Sequence, residues 1–143
     1  MVPLSREHHD ALLFIWKIKQ GLKNKTSLPI VVDYIKWFWN NNLKDHFDQE
    51  EKILLPYLPN EDEMVQRLRK EHEMIRKMVD KELNETSILI LTDALNDHIR
   101  FEERQLFPHI EQTVSEDQLD EISKQLDYQP SCKTPWPNEF WEK

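Results

Sequence analysis

Apolar side chains recur every three or four positions through most of this chain, the spacing of helices with one buried face. The first such segment runs from about residue 6 to residue 22. The second has Ser27 as a candidate cap and Pro29 in its first turn, and it continues to Pro56. Its predicted inner face comprises Val32, Ile35, Trp39, Leu43, Phe47 and Leu54.

Two further helices are predicted beyond the second segment. Asn60, followed three residues later by Glu63, resembles the capping box that opens a helix. Thr86 or Ser87 can cap a fourth helix, which is expected to kink or stop at Pro108 because proline lacks a backbone N–H. The pattern therefore predicts an all-α fold, an antiparallel four-helix bundle.

The end of the chain has a different pattern. A shorter fifth helix is predicted from near Ser115, and from Tyr128 onward prolines alternate with aromatic residues, which is typical of an extended arm. We interpret residues 1–127 as the bundle and residues 128–143 as this arm. Its aromatic side chains either cover one end of the bundle or dock a partner protein.

Composition supports one helical domain. A chain of 143 residues with 38% hydrophobic residues can bury an ordinary core, and a single glycine leaves little material for a turn-rich β fold. A net charge of −8 disfavours binding to nucleic-acid phosphates. The lone Cys132 cannot form an internal disulfide, and no apolar run reaches the length of a membrane span. We therefore expect a soluble cytoplasmic protein with neither nucleic-acid nor membrane partners.

Polar residues repeat between the helices as clearly as apolar ones. The second and fourth helices share the motif His-x-x-x-Glu-Glu with a proline at the same offset: His46, Glu50, Glu51 and Pro56, then His98, Glu102, Glu103 and Pro108. The first and third helices share a shorter pair, Glu7-His8 and Glu71-His72. We interpret the chain as two related helical hairpins.

Helical phase predicts which of these polar side chains face inward. At about 100° per residue, Glu50 lies about 40° from His46 within the apolar stripe, whereas Glu51 lies about 140° away on the solvated side. The fourth helix repeats this arrangement, with the first glutamate of its motif inward and the second outward. His8 and His72 are each bracketed by apolar residues of their own helices.

Six polar residues therefore fall on four apolar stripes: His8, His46, Glu50, His72, His98 and Glu102. A single inward histidine is usually a satisfied core residue, but a buried carboxylate costs several kcal/mol unless it is paired or bound to metal. Imidazole with carboxylate suits Fe, Zn, Cu or Ni, and carboxylates can bridge two ions. Two symmetrical halves predict two ions; a metal-free bundle with buried polar networks is the alternative. His9, about 100° round the first helix from His8, is expected at the edge of the apolar stripe.

These motifs resemble the hemerythrin-like family, also called the HHE cation-binding domain. The resemblance extends over about residues 4–110 and rests on Glu7-His8, His46-x-x-x-Glu50, Glu71-His72 and His98-x-x-x-Glu102. It implies a four-helix bundle with a carboxylate-bridged di-iron site. The family binds dioxygen in carriers and serves in sensing, nitric oxide response or iron handling elsewhere.

The sequence departs from the oxygen carriers at two positions. Carriers have a further histidine four residues before the one on the third helix, where this chain has Leu68. Their second carboxylate is an aspartate five residues after its histidine, where this chain has Glu103, with Glu102 better placed. The chain thus resembles a four-histidine, two-glutamate variant with more open coordination positions, which disfavours long-lived oxygen storage.

The resemblance implies two iron ions, Fe2+ or Fe3+, bridged by carboxylates and by an oxo or hydroxo group, although the ligands also suit manganese or zinc. We expect a non-catalytic module that binds dioxygen, nitric oxide or peroxide in sensing or iron handling. The alternative is a di-iron redox enzyme that reduces peroxide or oxygen. A ferritin-like oxidase would need Glu-x-x-His motifs, which neither histidine pair provides.

Overall fold

The computed structural model describes the backbone of residues 2–127 and the side chains of residues 8–125. This part of the chain contains five helices and no strand, which confirms the all-α class. We number them α1 (Val2–Lys23), α2 (28–57), α3 (Glu63–Asp80), α4 (85–113) and α5 (Glu116–Asp127). None of the described helices is long and apolar enough to cross a membrane. The predicted arm, 128–143, lies outside the described residues.

The long helices pack as a bundle in which neighbours run antiparallel. Between α2 and α3, Lys36 Nζ donates a hydrogen bond to the Val79 carbonyl at 2.9 Å. Further along α2, and earlier in α3, Asp48 lies 3.9 Å from Arg76. α1 contacts α2 and α4, and α3 contacts α4. The predicted four-helix bundle is confirmed.

The apolar core consists of two clusters at opposite ends of the bundle. The upper cluster joins all four long helices and includes Phe14, Ile18, Ile35, Ile75 and Leu91. The lower cluster is closed by α5 and includes Leu54, Leu68, Phe101, Leu106 and Ile122. The buried histidines and glutamates occupy the chain positions between these clusters, so the site is a polar layer inside the core.

α2 and α4 are interrupted by π turns. α2 consists of the α-helical segments Leu28–Phe38 and Lys44–Gln49, the π turns Trp39–Leu43 and Glu50–Leu54, and the 3-10 turn Leu55–Tyr57. α4 consists of the α-helical segments Glu85–Phe101 and Phe107–Thr113, joined by the π turn Glu102–Leu106. Because a π turn holds one extra residue, it rotates the flanking segments by about 100° relative to a uniform α-helix.

The first π turn changes which face of α2 is buried. Val31, Tyr34 and Phe38 are buried, whereas Val32 is only partly buried. The prediction for Val32 assumed one uniform helix; Val32 instead packs at the edge of the upper cluster, because Trp39–Leu43 rotates the upstream segment. The other five residues predicted for this face are buried.

Two helix starts differ in their capping from the prediction. Ser27 stands at the N-cap position of α2, but its side chain makes no capping hydrogen bond. The cap of α3 is Asp62, not Asn60, and the Asp62 carboxylate accepts a hydrogen bond from the Met64 N–H at 2.8 Å. A carboxylate at this position also interacts favourably with the positive end of the helix dipole.

α4 begins earlier and extends further than predicted. Its cap is Asn84, which forms a capping box with Ser87, so neither Thr86 nor Ser87 is the cap. The helix also continues through Pro108 to Thr113. Pro108 lies in the first turn of the segment that follows the π turn, where a missing N–H is tolerated.

Candidate metal site

The six residues singled out by helical phase all lie in the polar layer between the two apolar clusters. Each is at most 6% exposed, and together they come from all four long helices: His8, His46, Glu50, His72, His98 and Glu102. His9, in contrast, is exposed. The inward direction that helical phase predicted for these six side chains is therefore confirmed.

The layer divides into two groups of four side chains that share both glutamates. The first group comprises His8, His46, Glu50 and Glu102, and the second comprises Glu50, His72, His98 and Glu102. Within each group, one potential ligand atom per residue lies within 4.8 Å of all the others. Either group could hold a cation, and a carboxylate that belongs to both could bridge two cations.

The Nε2 atoms of the histidines face the shared carboxylates. His46 Nε2 lies 2.6 Å from Glu50 Oε1, and His8 Nε2 lies 2.9 Å from Glu102 Oε2. His98 Nε2 contacts Glu102 Oε1. His72 Nε2 is 3.7 Å from Glu102 Oε1 and 3.9 Å from Glu50 Oε1.

The donor set fits metal ions better than it fits a network of hydrogen bonds. The carboxylate oxygens of Glu102 and the Nε2 of His8 are fully buried, and their contacts with one another do not have the geometry of regular hydrogen bonds. The Nε2 atoms of His72 and His98 lie only 3.1 Å apart. Buried polar atoms carry a large desolvation cost when they lack partners, and a cation between the nitrogens and oxygens removes that cost.

The charges of the layer are strongly coupled. Burial alone would raise the pKa of Glu102, but the imidazoles of His98, His72 and His8 hold it well below its usual range. Although burial acts to lower the pKa of His98, the carboxylates of Glu102 and Glu71 raise it to about 10. Burial lowers the pKa of His72 to about 4. A proton on His98 therefore offsets part of the negative charge that a metal ion would otherwise neutralise.

The sequence matches the Hemerythrin HHE cation binding domain over residues 3–110. The chain belongs to this hemerythrin family. The matched range includes nearly all of α1, the whole of α2 and α3 and most of α4, and thus every residue of the polar layer. No curated protein and no solved structure gives a significant match to the chain.

In this hemerythrin domain, a second set of carboxylates contacts the outer nitrogens of the histidines. Glu103 Oε1 lies 2.7 Å from His8 Nδ1, and Glu71 Oε1 lies 2.8 Å from His98 Nδ1. Helical phase placed Glu103 on the solvated side, and its side chain is indeed 37% exposed, yet its carboxylate reaches back to α1. The only sequence signal for these contacts is that each glutamate directly adjoins a residue of the layer.

Aromatic rings pack against the imidazoles. The Phe47 ring stacks on His72 at 3.9 Å between ring centroids, and the Phe107 ring stacks on His8 at 5.4 Å. Phe107 lies nine residues after His98, about 180° away on a uniform α-helix. The π turn Glu102–Leu106 brings it back to the buried face, so the backbone irregularity helps to enclose the site.

The sixth histidine lies outside the layer. His109 Nε2 is 2.7 Å from Asp62 Oδ2, which links the end of α4 to the start of α3. His109 is absent from both candidate metal groups. It contributes to packing between helices rather than to the metal site.

Proposed function

We propose that this hemerythrin-family protein holds two iron ions. The first would be held by His8 and His46 and the second by His72 and His98, with Glu50 and Glu102 bridging both. The observation that carries the proposal is that both candidate groups contain the same two glutamates. Nitrogen and carboxylate donors at these positions suit a first-row transition metal.

The surrounding residues would give such ions a dry and incompletely filled coordination sphere. The upper and lower apolar clusters cover the layer on two sides and keep bulk water out. Each group offers four protein residues, fewer than the six ligands that iron commonly takes, so positions stay open for a small molecule. A bound iron pair supplies an electrophilic, redox-active centre.

We further propose that the open positions bind dioxygen, nitric oxide or peroxide in sensing or iron handling. The residues of the layer would orient the ligand. Their imidazoles and carboxylates would stabilise the change in charge that accompanies ligand binding. No part of this role requires turnover. The protein is therefore proposed to be a binding module, in which each metal centre binds its ligand stoichiometrically and without turnover.

The first experiment measures metal. The protein is loaded anaerobically with Fe2+, desalted and analysed, with Zn2+ and Mn2+ loaded in parallel. We expect about two iron atoms per chain and an absorption spectrum of a bridged pair after oxidation. A stoichiometry at or below one iron per chain overturns the two-metal proposal.

The second experiment tests the role. Iron-loaded protein is titrated with nitric oxide, peroxide and dioxygen, and the spectral change is compared with the amount consumed. A binding module should consume one equivalent or fewer per centre. Continued consumption of peroxide or dioxygen with an electron donor would instead establish a redox enzyme.

A further inference from the structure

Two histidines of the layer are held at both ring nitrogens. His8 faces Glu102 with Nε2 and contacts Glu103 Oε1 with Nδ1 at 2.7 Å. His98 faces Glu102 with Nε2 and contacts Glu71 Oε1 with Nδ1 at 2.8 Å. An ionised carboxylate can only accept a hydrogen bond, so each Nδ1 must carry the hydrogen.

The contact to His98 belongs to a longer chain of interactions. Arg67 lies one helical turn before Glu71 on α3, and its Nε donates a hydrogen bond to Glu71 Oε2 at 2.8 Å. The Arg67 guanidinium also lies 4.1 Å above the centre of the Phe101 ring. Glu71 thus also accepts a hydrogen bond from a half-exposed arginine that packs on a ring of the lower cluster.

We infer that Glu71 and Glu103 are positioning residues, which direct the Nε2 atoms of His98 and His8 toward the metal ions. This inference rests on the proposed metal site. A carboxylate that accepts the Nδ1 hydrogen fixes the tautomer, restrains the ring and makes Nε2 a stronger donor. It assigns a role to two glutamates that neither candidate metal group includes.

The inference explains why the His-x-x-x-Glu-Glu motif carries two glutamates. In α4 the first, Glu102, faces the layer, and the second, Glu103, reaches the histidine of α1. In α2 the equivalent second glutamate, Glu51, lies 4.0 Å from His72 Nδ1, beyond hydrogen-bonding distance. Glu51 should therefore position His72 less strongly than Glu103 positions His8, so the two glutamates can be compared within one protein.

The affinity test compares Glu71→Ala and Glu103→Ala with two surface variants on the same helices, Glu73→Ala and Glu111→Ala. The probe is Zn2+, whose binding is measured by competition with a chromophoric chelator. We expect about 10- to 100-fold weaker binding in the two positioning variants, with two ions still bound at saturation. The controls should match the wild type, and Glu51→Ala should change the affinity less than Glu103→Ala does.

Glutamine variants separate positioning from folding. Glu71→Gln and Glu103→Gln keep the side-chain volume and an oxygen acceptor, so they should recover part of the affinity lost in the alanine variants. Metal-free thermal unfolding is measured on every variant. If each glutamine variant loses as much Zn2+ affinity and as much metal-free stability as the alanine variant at the same position, the role is merely structural and the inference is overturned.

Histidine nitrogen resonances give a second readout in the Zn2+-loaded protein. The wild type should show His8 and His98 protonated at Nδ1 and metal-bound at Nε2. Glu103→Ala should shift the Nδ1–H signal of His8 and leave that of His98 in place, and Glu71→Ala should do the reverse. Unshifted signals in both variants overturn the inference.

The outcomes distinguish this inference from the proposed function. If the wild type fails to bind two ions, the metal site itself is wrong. If the wild type binds two ions and the positioning variants bind as tightly as Glu73→Ala and Glu111→Ala, only the inference is wrong. A fall to one ion in Glu103→Ala would make Glu103 a ligand and would also overturn it.

Discussion

Neighbouring glutamates in the same motif have different environments. Glu50 and Glu102 are fully buried between imidazoles, whereas Glu51 and Glu103 lie at the rim of the layer. One position along a helix rotates a side chain by about 100°, enough to move it from the inner face to the boundary. Substitutions at adjacent positions should therefore produce different effects.

Glu50→Gln and Glu102→Gln should each lower iron occupancy below two per chain or abolish the spectrum of the bridged pair. Glutamine keeps the size of the side chain but lacks the charge that a bridging ligand supplies. Metal analysis and absorption spectra of the loaded variants are the measurements. Glu51→Gln is the matched control, and it should change the free energy of unfolding by less than about 0.5 kcal/mol. Full occupancy in Glu50→Gln would remove that residue from the ligand set.

The two adjacent histidines of α1 give a second test at this scale. His8 is buried in the layer and His9 is exposed. We expect His8→Ala to reduce bound iron and His9→Ala to leave it unchanged, as measured by metal analysis after identical loading. Iron loss in His9→Ala alone would mean that α1 presents a different face to the bundle.

Single residues also show where prediction from sequence stops. The inward direction of Glu50 and Glu102 follows from the phase of one helix, which the sequence contains. The contact of Glu103 with His8 depends on how α1 lies beside α4, and no pattern within α4 specifies that distance. Contacts across helices therefore needed the structure.

At the scale of whole elements, the π turns explain burial that a uniform helix would not produce. Leu55 lies nine residues after His46, about 180° round a uniform helix, yet it is buried after the π turn Glu50–Leu54. Phe107 has the same relation to His98. Both π turns begin at the glutamate of the layer, and sequence periodicity assumes that no such turn occurs.

Deletion of Gln105 tests the π turn of α4. Removing one residue restores uniform helical spacing and rotates Phe107 by about 100° away from His8. We expect a loss of thermal stability comparable to removing a buried phenylalanine, about 3–5 kcal/mol, together with loss of bound metal. Gln105 is exposed, so Gln105→Ala is the matched control and should unfold like the wild type. An equally stable deletion variant would show that the turn has no structural role.

At the scale of the molecule, periodicity was sufficient for the fold class. Amphipathic segments of this length, joined by short connections, have few other ways to bury their apolar faces than an antiparallel bundle. The helix starts were harder, because Asn60 and Asp62 are both acceptable caps by residue type. The backbone conformation at the start of α3 selects Asp62, and the residue types alone do not specify that conformation.

Metal binding should depend on pH through the histidines. An imidazole must be unprotonated at the nitrogen that binds metal, and free histidine has a pKa of about 6.5, so we expect metal release as the pH falls below about 6. His98, with a pKa raised to about 10, should also release a proton when metal binds at neutral pH. The measurements are metal analysis across pH and the release of protons into weak buffer when metal is added. Full retention of metal at about pH 4 would contradict histidine ligation.

The stability of the metal-free protein should depend on pH through the shifted pKa values of His98 and His72. The pKa of His98 in the folded state is raised, so its contribution to stability is complete below about pH 6.5 and is lost as pH rises through about 10. The pKa of His72 is lowered, so its contribution is present above about pH 6.5 and is lost as pH falls through about 4. Thermal unfolding of the metal-free protein should thus show losses at both extremes, and His72→Phe should reduce the acid loss.

The polar layer divides the interior, and this division has a consequence for the lifetime of the protein in a cell. Without ions, the imidazoles offset only part of the cost of burying the two carboxylates, so the bundle should open first at this layer. Amide hydrogen exchange next to the layer should be fast in the metal-free protein and slow in the loaded one. Since ions that bind only the folded state stabilise it, proteases should remove metal-free chains faster. The abundance of the protein would then follow the supply of its metal.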